Sequence, residues 1–191
     1  MSVTPQSILD FWLNDTGPAG WYGGGPELDE AIRKRFLLAW RAARTGAFDH
    51  WLLYPDSALA LIILLDQFPR NMFRGDAEAF ASDERALRLA KLAIARGHDL
   101  KVDEPARQFF YMPLMHSENL QDQDRCARLL RSRMPETGRN NLPHACAHRE
   151  VIRRFGRFPY RNEALGRRTK PEESDYLDQG GYASTMKRYA G

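Results

Sequence analysis

The sequence is poor in the features that announce most chemistries. It holds only two cysteines, Cys126 and Cys146, too few for a disulfide framework, and free thiols suit a reducing compartment. The longest apolar run, Ala58 to Leu65, is eight residues, far short of the roughly 20 a helix needs to span a bilayer. The first residues, Met1-Ser2-Val3-Thr4-Pro5, show no basic region leading into an apolar stretch. The expected location is therefore the cytoplasm, away from membranes. There is no Gly-x-Ser-x-Gly elbow, no Walker loop and no dinucleotide fingerprint. Gly23-Gly24-Gly25 precedes Pro26 instead of following a strand, so it reads as a flexible turn, and no cofactor is implied. Lysine is scarce as well: it supplies five of the 28 basic residues, and arginine carries the net charge of +3. So slight a global charge argues against nucleic acid as a partner.

What remains is an ordinary globular composition, 43% hydrophobic and 28% charged, over 191 residues. That length suits a single domain spanning 1–191. Thr4-Pro5 reads as an N-cap followed by proline at the first helical position, opening a short helix through Ile8, Leu9, Phe11 and Trp12. A Gly/Pro-rich loop follows from Thr16 to Pro26, with Trp21 and Tyr22 expected to dock on the body. From Leu28 to Thr45 the apolar residues Ile32, Phe36, Ala39, Trp40 and Ala43 recur at three- and four-residue steps, the stripe of an amphipathic helix. Ala58 to Gln67, capped by Asp56 or Ser57, is apolar on every side and should be the central helix. Further helices are expected over Asp83–Arg96 with Ser82 as cap and Gly97 as terminator, and over Pro105–Met112, ended or kinked by Pro113. Others are expected over Leu120–Met134, over Pro143–Phe155, and after the capping-box spacing Thr169-Lys170-Pro171-Glu172. No strand pattern competes. The expected class is all-α, built from antiparallel helical hairpins in a bundle or a layered superhelix.

Four stretches are distinctive together: Ile8-Leu9-Asp10-Phe11-Trp12, the run Leu61 to Asn71 that ends Asp66-Gln67-Phe68-Pro69-Arg70-Asn71, Tyr111 to Glu118, and His148 to Pro159. In this combination the chain resembles the bacterial family catalogued as domain of unknown function 924. The resemblance covers nearly the whole chain and implies a tetratricopeptide-like helical fold, without implying an activity. One departure is Tyr160, which stands after Pro159 where the resemblance leads one to expect histidine.

Several residues fit poorly with simple core packing. Asp66 follows six aliphatics in the last turn of a buried helix, where the helix dipole disfavours an anion. It needs a cation or backbone donors; Arg70, Arg74 or one of the C-terminal arginines could serve. The plain reading is a structural Asp–Arg pair pinning a turn; the sharper one is a catalytic acid or base. Asn71 fits turn chemistry. His116 shares a face with Phe109 and Met112, and His148 heads the stripe Val151, Ile152 and Phe155, so both imidazoles should point inward. His116-Ser117-Glu118 lacks the downstream Pro-Cys-x-x-Cys of a zinc deaminase. His144 and His148 have the spacing of a metal pair, but Ala145 occupies the slot of a zinc-protease glutamate, and no metal is expected. Arg153 to Asn162 interleaves arginines with aromatics. Structural pairing ranks first for it, a small-anion site second, nucleic acid a distant third.

These residues support three functional readings. The leading one is a groove that binds a small anionic ligand or an acidic peptide through Arg70, Asn71, Glu118, Arg157, Arg161 and Asn162. The second is a hydrolase of an anionic metabolite with Asp66, His116 and His148 as acid–base groups. The third is a purely structural interaction module. The oligomeric state is open.

Overall fold

Thr4 opens the first helix as its neighbours dictate: its hydroxyl accepts from the Ser7 N–H at 3.2 Å, and the Ser7 hydroxyl accepts from the Thr4 N–H at 3.0 Å. The computed structural model describes residues 3–189. Among these residues there is helix and no strand, so the all-α class holds, and no helix is long and apolar enough to cross a membrane. The chain divides between Pro113 and Leu114 into two compact units.

The first unit begins with α1 (Pro5–Leu9), which runs on into a wider π-helical stretch, Asp10–Thr16. The Gly/Pro-rich segment is not all loop. Gly17–Trp21 forms a short helix, α2, and Trp21 docks as expected, its indole N–H donating to the Trp12 carbonyl at 2.7 Å. Helix α3 (Pro26–Arg44) buries the stripe Ile32, Phe36, Ala39, Trp40 and Ala43. Helix α4 (Pro55–Asp66) is buried from Ala58 onward and packs against α1, α3 and the later α6 (Asp83–Ala95); it is the central helix of this unit. The short α5 (Phe68–Met72) follows it directly. Trp12, Phe36, Phe68 and Phe109 meet edge-on or tilted at centroid distances of 4.7–6.0 Å, the favoured geometry for aromatic pairs. All four tryptophans, Trp12, Trp21, Trp40 and Trp51, are buried here.

Two expected caps are used differently. Tyr54, followed by Pro55, caps α4, and the Ser57 hydroxyl turns back to the Trp51 carbonyl at 2.6 Å. Ser82 does precede α6, but its hydroxyl donates to the Leu65 carbonyl at 2.6 Å and accepts from the Trp40 indole N–H at 2.9 Å. A buried carbonyl and a buried indole need partners more than a solvated helix end does. The expected helix over Pro105–Met112 is a 3-10 segment, Ala106–Phe110, and then α7 (Met112–Met115), with Pro113 tolerated in its first turn.

The second unit is built on an α-helical hairpin, α8 (Leu120–Arg133) and α9 (Gly138–Phe155); so short a connection forces antiparallel neighbours. Asn119 caps α8 through its side-chain oxygen. Helix α9 starts five residues before the expected Pro143. A side chain at Gly138 would press into the Leu130 carbonyl oxygen, so glycine lets the hairpin close there. Gly156 ends α9 with φ +70°, the left-handed terminator. Val151, Ile152, Phe158 and Tyr176 form this unit's apolar cluster, with Phe155 and Leu177 against it. Helix α10 (Pro171–Asp178) begins one residue later than the expected capping box: Lys170 stands at the cap, and its N–H donates to Glu173, not Glu172, at 2.8 Å. A further helix, α11 (Gly181–Lys187), packs on α9.

Candidate functional site

In the first unit Asp66 is wholly buried, the last residue of α4. Its Oδ2 accepts from the Gln67 side-chain amide at 2.6 Å. Arg70, one turn on, donates to the Asp66 carbonyl at 2.7 Å and lies 3.7 Å from its carboxylate. The same guanidinium forks the Asp83 carboxylate at 2.8 and 2.9 Å, tying the end of α4 to the start of α6. Asn71 takes another direction, its amide donating to Asp29 at 2.9 Å. Arg74 also forks Asp29, at 2.8 Å for both bonds, and these bonds, opposed by burial, hold the Asp29 carboxyl below its ordinary range. Tyr22 closes the neighbourhood: its hydroxyl donates to Gln108 at 2.5 Å. The residue as a whole is 61% exposed, but its hydroxyl end is turned inward, and desolvation there, then the Asp66 charge, pushes the phenol above its ordinary pKa.

The second unit gathers the other six candidates. Glu118 sits just before α8, and its Oε1 accepts from the Phe158 N–H and from Arg167, each at 2.9 Å. Burial raises its pKa, but the Arg167 and Phe158 bonds outweigh this, helped by the charges of Arg167 and Arg161, and the net shift is downward. Arg157, just past the α9 terminator, grips Glu173 with Nε and Nη2 at 2.7 and 2.8 Å and reaches the Arg168 carbonyl at 2.8 Å. Glu173 also accepts from the Lys170 N–H and from the Asn162 amide at 3.1 Å. With Arg157 first among the causes, its carboxyl falls to about 2. Arg161 is buried, its guanidinium 4.4 Å above the Phe158 ring. The flat face of arginine stacks there while its edge remains the donor side.

His148 lies beside this group, its ring 5.3 Å from Phe158 and 4.8 Å from Tyr182. Its Nδ1–H donates to the His144 carbonyl at 2.9 Å, which fixes the tautomer and leaves Nε2 with the lone pair. Burial drives the imidazole down to about 3; the bond to His144 opposes this, and the charges of His116, Arg161 and His144 add to it. At neutral pH His148 is uncharged. His144 is exposed and meets the Tyr182 hydroxyl through Nδ1 at 2.6 Å. Tyr160 is 42% exposed and stacks on Phe158 at 5.3 Å.

The candidates thus fall into two sets. Asp66, Arg70 and Asn71 lie in the first unit, while His116, Glu118, His148, Arg157, Arg161 and Asn162 lie together in the second. Sequence reasoning missed Glu173, which binds two of those candidates, and Arg167, the partner of Glu118. The only local signal for Glu173 was its place three residues after the helix cap. Tyr182 was missed as well, since nothing local marks a tyrosine that meets His144, weighed only as half of a metal-spaced pair, 38 residues away.

Comparison with known proteins adds kinship without chemistry. The family model described as a bacterial protein of unknown function (DUF924) matches residues 8–181. A solved structure, that of a protein of unknown function, ATU0120 from Agrobacterium tumefaciens, is similar with a TM-score of 0.85. The two sequences are 43% identical, over 92% of this chain and 97% of that one. No curated protein matches the sequence.

Proposed function

The chain belongs to the DUF924 family of bacterial proteins of unknown function, and from the geometry of its second unit we propose that it is a cytoplasmic, tetratricopeptide-like binding protein for a small anionic ligand or the acidic side chain of a peptide. The ligand lies against His148 and Arg161, with His116 beside them, while Arg157–Glu173–Asn162 and Arg167–Glu118 frame the site. One observation carries this reading: the His148 ring packs on Phe158 at 5.3 Å and the Arg161 guanidinium stacks on the same ring at 4.4 Å, so a neutral imidazole stands beside a cation whose charge disfavours its protonation. An anion there relieves that field and favours the protonated ring, whose Nε2–H can then donate to it. The wider charge agrees, since residues 114–191 carry 15 basic against 10 acidic side chains and residues 1–113 carry 13 against 15. An antiparallel helical hairpin such as α8–α9 is the kind of unit that stacks in tetratricopeptide-like layers, which supports that part of the reading, and two cysteines outside any disulfide, Cys126 and Cys146, accord with a reducing cytoplasm.

The hydrolase reading asks His148 to act as a general base. A base works best when its pKa lies near the working pH, and that of His148 lies far below it. Binding is therefore preferred to catalysis. The test is a thermal-shift and calorimetric screen against phosphometabolites, carboxylates and short acidic peptides, run on the natural protein, Arg161→Ala and His148→Asn. A ligand at a hundred times its dissociation constant stabilises the fold by about 2.7 kcal/mol. Binding that is saturable in the natural protein and lost in both variants supports the reading. A flat panel, with variants that are merely less stable, refutes it in favour of the structural module.

A further inference from the structure

Residues of α9, α10 and α11 and of the turns that end them border a shallow open cleft whose enclosed part is about 30 Å³, bounded on α9 by Glu150, Val151, Arg154 and Phe155. Its wall is polar in an unbalanced way. Arg154, Gln179, Ser184 and Arg188 line it; Arg154, Gln179 and Arg188 are exposed and Ser184 half-buried, and none of the four side chains has a hydrogen-bond or ion-pair partner among the described residues. By contrast, the half-buried Arg157 and Arg167 of this unit are each spent on a carboxylate. Arg154 is nonetheless held in place. Its guanidinium lies 4.7 Å above Phe155 and 5.6 Å above Tyr176, so its face is fixed by stacking while its donor edge is unspent. The carboxylate in the wall, Glu150, takes both bonds of the Arg153 fork at 2.7 and 2.8 Å, which neutralises its repulsion of an incoming anion. Its remaining lone pairs can accept from a donor on the ligand.

We propose that this cleft is a binding site for a small oxyanion, a phosphate ester or a carboxylate, that also bears a hydroxyl or amine. The two guanidiniums hold the anionic group, the Ser184 hydroxyl and the Gln179 amide complete its hydrogen bonds, and Glu150 takes the ligand's hydroxyl or ammonium. The site differs from the one around His148 in its cations, Arg154 and Arg188 in place of Arg161.

The experiment is calorimetric titration of the full chain with inorganic phosphate, L-malate and O-phospho-L-serine. It is repeated on Arg154→Gln, Arg188→Gln, Arg161→Ala and, as a surface control, Arg128→Gln; far-UV circular dichroism confirms that each variant is folded. The proposal expects saturable binding, tighter for malate or phosphoserine than for phosphate. Arg154→Gln and Arg188→Gln should each weaken it about tenfold or more, as loss of a charge-assisted pair does, while Arg128→Gln leaves it unchanged. No binding up to about 10 mM, a concentration that would nearly saturate even a millimolar complex, overturns it. So does an equal loss in Arg128→Gln, which would mean a diffuse charge effect. A loss confined to Arg161→Ala also overturns it, by assigning the anion to the site around His148.

Discussion

The sharpest consequence of the buried Glu173 concerns acid stability. Its carboxylate is 1% exposed and is met by Arg157 through two bonds, by the Lys170 N–H and by the Asn162 amide. Its folded pKa of about 2 lies below the ordinary 4.5. A depressed carboxyl contributes stability that is fully present above its unfolded pKa and is lost as pH falls through the folded one. The window is therefore pH 4.5 down to about 2. At about 1.4 kcal/mol per unit the shift corresponds to roughly 3 kcal/mol, and because the Arg157 partner stands partly in water a figure of about 1–2 kcal/mol is the better expectation. Glu173→Gln preserves shape and removes the charge, and turns one acceptor oxygen into a donor that faces other donors. Urea unfolding followed by far-UV circular dichroism should show the variant about 1–2 kcal/mol less stable at pH 7, with the gap closing as pH approaches 2. Other carboxylates lose their contribution in the same range, but they do so in both proteins, so the difference isolates Glu173. A gap that stays constant across this range would refute the electrostatic account.

Other expectations follow from the same geometry. Ser82→Ala should cost about 2–3 kcal/mol in chemical unfolding, because it strands the buried Leu65 carbonyl and Trp40 indole N–H together. Phe158→Ala, at a site with no exposed surface, should cost about 3–5 kcal/mol and release the Arg161 guanidinium stacked on it. In an NMR titration the His148 ring should stay neutral from pH 8 to below pH 5. Saturation with a ligand anion should move its midpoint upward, and binding should then tighten as pH falls. A midpoint near 6.5 without ligand would contradict the burial argument.

How much of this was legible in the sequence depends on the range of each interaction. Thr4-Pro5, Gly97 and Gly156 mark helix ends by local backbone rules, and each stands where it was expected. The stripe from Ile32 to Ala43 likewise shows one face of one helix. Pro143 misled, because proline favours a first turn, whereas the start of α9 is set by how closely Gly138 approaches Leu130, a tertiary fact. The site shows the same division. Arginine richness announced that carboxylates would be paired, but Arg157 finds Glu173 sixteen residues away and Arg167 finds Glu118 forty-nine away. No periodicity encodes such partners. Asp66 lies between these cases: its burial was evident from the aliphatic run, and the nearest cation, Arg70, was readable one turn downstream. The second carboxylate on Arg70, Asp83, was not.

The placement of the tryptophans has an experimental use of its own. All four indoles lie within the first 51 residues, inside the first unit, whereas the second has no tryptophan and emits chiefly through tyrosine. Indole emission therefore reports the melting of one unit, while ellipticity reports helix loss in both. Two superimposable transitions would mark a single cooperative block; a lag between them would measure, without any label, how far one half of the chain can come apart while the other stands.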